Sequence, residues 1–137
     1  MIVLQLSEYL KNKFPAELIY TNERVKLALQ SVIPDRNLLV RDYGGTEVPW
    51  YQWTSAPVQI VARDVDVVTA QDLSEMIFAD VTSRFGLILP AVTIGTKTYP
   101  QKQTGAITAI QTPSNLGNDS EGRIEYVFNI LIKYRRT

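Results

Sequence analysis

Asp64 and Asp66 in ARDVD form a D-x-D pair, and Asp119 and Glu121 in GNDSEG supply two more carboxylates. Grouped carboxylates are what a hard cation such as calcium needs, since it takes about six to eight oxygen ligands. Neither group has the ligand rhythm of a calcium loop, so solvated carboxylates at a strand end are the simpler reading. A glycosidase pair would require a set separation in space, which spacing along the chain does not give. The chain has no histidine and no cysteine. That removes the commonest general base, the commonest neutral metal ligand and every thiolate. Serines and lysines occur without a motif that activates them. Asn118-Asp119-Ser120 fits a glycosylation acceptor, but MIVLQLSEYLKNKF does not read as a signal peptide, so no glycosylation is expected. The expectation is no catalysis, no metal and no cofactor.

The remaining candidates are contact residues. Lys133, Arg135 and Arg136 make a small basic end, which is either solvated or meets a phosphate or an acidic neighbour. Trp50, Tyr51 and Trp53 put three aromatics into four residues, either as local core cover or as a contact patch of the kind interfaces favour. Lys97, Tyr99 and Lys102 lie in a stretch of prolines, glycines and threonines at 87–105 that reads as an extended or flexible excursion. Lys plus Arg and Asp plus Glu both total 14, so nothing global draws the chain to nucleic acid or to an anionic membrane. No window approaches the roughly 20 apolar residues that span a bilayer. A soluble, cytosolic product is expected.

Elements must position these residues. Val3, Leu6, Leu10 and Phe14 predict an amphipathic helix over about 2–14, stopped by Pro15. Residues 24–33 alternate as a strand does, although leucine, alanine, lysine and glutamine also suit a helix; the pattern favours a strand. Pro34–Asn37 is a turn, NLLVRDY a short strand, and Gly44-Gly45 a reversal. PVQIVARDV alternates well. Thr69, with Asp72 three residues on, is the expected N-cap of the clearest helix, with Leu73, Ile77, Val81 and Phe85 on its inner face and Gly86 after its end. GAITAIQTP holds a short strand and SNLGNDSEG a polar loop. With 137 residues, the chain is expected to be one domain, 1–137, of the α+β class: a mainly antiparallel sheet with the helices packed on one face.

GRIEYVFNILIKYRR closes the pattern. Ile124, Tyr126, Phe128, Ile130, Ile132 and Tyr134 take alternate positions and predict the core face of a central strand. Its length, about 46 Å fully extended, suggests that part of it projects beyond its own sheet. Val127 and Leu131, set among charges, make a mixed second face.

IQTPSNLGNDSEGRIEYVFNILIKYRR resembles the C-terminal signature of the tailed-phage tail terminator family, whose members are also labelled minor capsid or tail completion proteins. The residues that carry the likeness are Pro113, Gly117, Asp119, Gly122, Arg123, Asn129, Tyr134, Arg135 and Arg136. Upstream, IPDRNLLVRDYGG, with Gly44 and Gly45, and PVQIVARDVDVVTAQDLSEMI resemble the family's paired-glycine segment and its strand into the main helix. WYQW and the 87–105 excursion have no counterpart in that pattern. The resemblance implies a structural virion protein without enzymatic activity. It implies a homo-oligomeric ring, usually a hexamer, that caps the tail tube and joins it to the head connector or head completion protein. Double-stranded DNA passes through the lumen without sequence recognition. The place implied is the head-proximal end of the virion's tail, reached from the host cytoplasm, with no membrane partner. The last strand, reaching the domain's edge, is then expected to extend the sheet into the next protomer. The alternative is a small ligand- or peptide-binding module with no assembly role.

Overall fold

Apolar residues at four-residue spacing build two helices, and alternating ones build a sheet that both helices cover on the same face. The computed structural model describes residues 2–24, 33–43, 53–82 and 84–135. Helix α1 (Ile2–Lys13) buries Val3, Leu6 and Leu10. It ends as expected, with the Phe14 N–H donating to the Leu10 carbonyl at 2.8 Å just before Pro15. Strands β1 (Ile19–Thr21), β2 (Asn37–Asp42) and β3 (Trp53–Asp64) precede helix α2 (Val67–Thr82). Then come β4 (Ile88–Leu89), β5 (Val92–Ile94), β6 (Lys97–Tyr99), β7 (Lys102–Asn118) and β8 (Ile124–Arg135). The sheet runs β1-β2-β3-β8-β7-β4, with β5 and β6 forming a separate hairpin. Among the described residues, only the β1–β2 pair is parallel. The expected α+β class is the one observed.

The main core lies between the sheet and the helices. Val58, Ile60 and Ala62 of β3 and Phe128, Ile130 and Ile132 of β8 meet Leu73, Ile77 and Val81 of α2 and Leu6 and Leu10 of α1. Tyr126, expected in that core, is only half-buried. The second face carries a smaller cluster of Tyr20, Leu39, Val61 and Val127. Helix α1 packs on β1 and β2 and also on β4 and β5, so the sheet curls around it. Tyr9 ties the helices together, its hydroxyl donating to Asp80 Oδ2 at 2.8 Å. Burial, and then that carboxylate, push the Tyr9 pKa up to about 12.

Several boundaries differ from the sequence reading. Asp66, not Thr69, caps α2: its carboxylate accepts from the N–H groups of Val68 and Thr69 at 3.2 and 3.3 Å. The helix also stops at Thr82, among threonine and serine residues that favour turns over helix interior. Phe85 therefore leaves the helical stripe and is 81% exposed. Gly86 keeps its left-handed φ of 73°, but beyond the helix, where its N–H donates to the Gly105 carbonyl. The short strand and polar loop expected over 105–121 are instead mostly one strand of 17 residues, β7, so Ser114–Asn118 belong to the sheet. The 87–105 stretch is neither loose nor peripheral at its ends, because Leu87, Leu89 and Thr104 are buried. Apart from its two ends, the strand expected over 24–33 falls on residues 25–32, which, like the Gly44-Gly45 reversal, lie outside the described residues.

The last strand does not project from the sheet. β8 pairs with β3 over its whole length, from Ile124↔Asp64 to Arg135↔Trp53. Its other edge pairs with β7 through four register shifts. A strand bonded on both sides cannot add to another sheet, so the expected extension through β8 fails. Among the described residues, a long open edge is left on β7 beyond Ala106, and a short one on the three-residue β1.

Candidate functional site

The acidic residues at the end of β3 are engaged with protein donors. Asp64 accepts from Arg36 at 3.1 Å and from the Val65 N–H at 2.7 Å, while Asp66 caps α2. Among the described residues, no group of three or more carboxylates is placed to share a cation.

Asp119, Gly122 and Arg123 come together at the tip of the β7–β8 hairpin. The Asp119 N–H donates to the Arg123 carbonyl at 2.8 Å, and the Gly122 N–H to the Asp119 carbonyl at 3.1 Å. Gly122 adopts φ 81°, the left-handed conformation that a loop of this length requires of its last residue. Asp119 Oδ1 accepts from the N–H groups of Glu121 and Arg123, and Oδ2 from Arg123 Nε at 2.8 Å. Burial pulls its pKa up, but those N–H groups and the Arg123 guanidinium outweigh it and hold the carboxyl below the usual range. Around the tip, Arg63 lies 3.8 Å from Asp119, and Arg123 reaches Asp35 and Glu121. Pro113 and Gly117 fall at register shifts in β7, where a missing N–H and a φ of 106° are tolerated. Asn129 donates to Gln111 across the β7–β8 pair at 2.6 Å. Each of these residues has a local job in building the hairpin.

Stabilisation by Asp119 should accordingly depend on pH. A carboxyl whose folded pKa lies below its unfolded value, near 3.9 for aspartate, contributes fully above that value. The contribution is lost as pH falls through the folded pKa. Asp119→Asn should lower the urea midpoint at pH 7, and the gap from wild type should narrow as pH falls below the unfolded aspartate value and on through the lower folded one. A gap unchanged by pH would show that the charge is not what matters.

A second grouping sits at the other end of the sheet, on the face away from the helices. Trp53 is half-exposed, with the Arg135 guanidinium 5.9 Å from its ring centre. Its ring passes over Gly105, where a Cβ would come within 2.9 Å of it. On the helix side of the same end, Lys102 stands 4.9 Å from the centre of the Tyr134 ring, which packs against the main core, and its ammonium donates to the Arg135 carbonyl at 3.2 Å. Trp53, Phe85, Gly105, Ala106 and Lys133 line an open depression of about 450 Å³ with no carboxylate in its wall. The structure thus gathers Trp53, Lys133 and Arg135, and sets Lys102 beside Tyr134 on the helix side of the same end. It leaves Lys97 and Tyr99 apart on the β5–β6 hairpin, 4.8 Å from ammonium to ring centre. Trp50, Tyr51 and Arg136 lie outside the described residues.

Phe85, which the helical pattern assigned to the inner face, is an exposed apolar residue, as are Ile110 and Leu116. Ile110 and Leu116 lie on β7, whose outer edge beyond Ala106 has no strand partner among the described residues. The Thr82-Ser83-Arg84 break before Phe85 was the available sign that the helix had ended. No protein-family model matches the chain, and no curated protein matches it.

Proposed function

We propose that this protein is the structural subunit of a closed homo-oligomeric ring, of the kind that caps a phage tail tube and joins it to the head. The observation that carries the assembly reading is the open side of β7. It combines an edge unpaired from Ile107 to Asn118 among the described residues with exposed Phe85, Ile110 and Leu116. Long open edges and exposed apolar patches on a small domain are the usual marks of a protein contact. The head–tail location rests on the sequence pattern that ends in GRIEYVFNILIKYRR. A ring needs two different surfaces that meet head-to-tail and a rotation that closes. Mass in solution over a range of concentration and salt tests the assembly, with a ring or a monomer driven to one as the expected result. Phage lacking the protein should accumulate tails that do not join heads. If tails join normally, the assignment is wrong.

The β5–β6 hairpin is a second contact element in this reading. Removing all of 87–105 would take Leu87, Leu89 and Thr104 from the core. Leu89 pairs with Lys102, so residues 91–100 can instead be replaced by a short Gly-Asn turn with the β4–β7 ladder kept. That variant should fold and assemble at least tenfold more weakly. Normal assembly would remove the hairpin from the interface. The depression at Trp53 favours a second reading, a module for an apolar ligand or peptide; such a module would hold one small mass at every concentration.

A further inference from the structure

The open edge of β7 is poorly made for strand addition. Four register shifts interrupt its ladder with β8, and Pro113 offers no N–H. Bulges and proline are devices that keep a second strand from pairing regularly. Contact on this side must therefore come from side chains, and the Trp53–Phe85 depression opens at the start of that edge.

Charge limits what fits there. Lys133 carries no ion pair among the described residues, and Arg135 lies beside it over the Trp53 ring. The fitting surface is apolar with carboxylates around it. The protein presents one at its opposite corner. Helix α2 contains no lysine or arginine, and its solvent face sets Val68, Asp72 and Glu75 on one stripe, with Asp66 and Val65 at its start. Val65 and Val68 are each 58% exposed. Asp66, Asp72 and Glu75 have no cationic partner among the described residues. The two corners lie at opposite ends of β3, about 36 Å apart at strand spacing, and on opposite faces of the sheet. They cannot meet within one molecule, and they complement each other between two.

We infer that the Trp53–Phe85–Lys133 depression of one copy receives the acidic, valine-bearing N-terminal half of α2 from the next. The inference rests on the ring reading and specifies its interface: a neighbour's helix lies along the edge that no strand covers. Such a contact is heterologous, as ring closure requires. Part of it is electrostatic, so association weakens with salt.

Reciprocal charge reversal tests the pairing. One variant carries Lys133→Glu with Arg135→Glu, the other Asp72→Lys with Glu75→Lys; all four positions are exposed. Measured by sedimentation with folding checked by circular dichroism, each alone should associate at least tenfold more weakly than wild type. Mixed in equal amounts, the two should recover assembly, because alternating copies restore opposite charges at every contact. Val68→Lys should reproduce the loss through the apolar part of the same helix face. Folded variants that assemble alone as wild type does, or a mixture that recovers nothing, would overturn the pairing and leave the ring reading standing. A wild type that stays monomeric at all concentrations would overturn both.

Discussion

Phe128→Ala should destabilise the protein by about 3–5 kcal/mol, read as a lower urea midpoint at unchanged slope. Phe128 is fully buried on the helix side of β8, and its ring meets that of Phe78 edge-on, with centres 5.2 Å apart and planes at 85°. Truncation removes the transfer energy of a phenyl ring, the edge-to-face contact and the packing around a cavity that α2 and β3 cannot close. The bonding on both flanks of β8 makes collapse into the space difficult, because the strand cannot shift without breaking two ladders. A loss under about 1 kcal/mol would show that the space refills and that this ring does not organise the core. Val127→Ala, one residue along on the smaller second-face cluster, should cost clearly less.

That core was legible in the sequence because period-two alternation from Ile124 to Tyr134 leaves few ways to arrange a strand. The four-residue spacing of α1 and α2 was as clear. What misled was the continuation of a pattern beyond its physical stop. Phe85 keeps the spacing of Leu73, Ile77 and Val81, yet the helix has already ended at Thr82 and the ring faces solvent. β7 failed in the opposite sense. Its threonines, proline, asparagines and glycine read as a turn-rich loop, but pairing to β8 holds them extended, with shifts in register absorbing the misfits. Strand propensity is mostly a property of the neighbours, and a sequence read alone does not show them.

The contact residues were legible by type more than by place. Trp53, Lys133 and Arg135 stood out as an aromatic and two cations, but their convergence depends on the β3–β8 register, which sets Trp53 opposite Arg135. The acidic face of α2 was hidden for another reason. Asp66, Asp72 and Glu75 look ordinary until the helix is placed and its solvent side proves to have no cation. Asp119, Gly122 and Arg123, among the residues that carry the sequence resemblance, each have a structural role in the loop they close.

Gln5→Leu should expose how the β5–β6 hairpin is held. Gln5 is a polar residue on the buried face of α1, a position the apolar pattern of that helix assigns to packing. Its amide Nε2 donates to the Pro90 carbonyl at 3.1 Å and the Pro100 carbonyl at 2.8 Å. Those two carbonyls bracket the hairpin, so one side chain fixes both its entry and its exit to α1. Leucine matches the volume and supplies no donor. The loss should be about 1–3 kcal/mol, since each abandoned carbonyl either stays unpaired or must be rehydrated through a local opening. The effect should be local: faster amide exchange at residues 92–99, with protection in β3 and β8 unchanged. If the hairpin also contributes to the ring, the variant should fold and associate more weakly than wild type, because ordering the hairpin then has to be done at the moment of binding. Unchanged exchange in the hairpin would mean that packing against α1 holds it without the two hydrogen bonds.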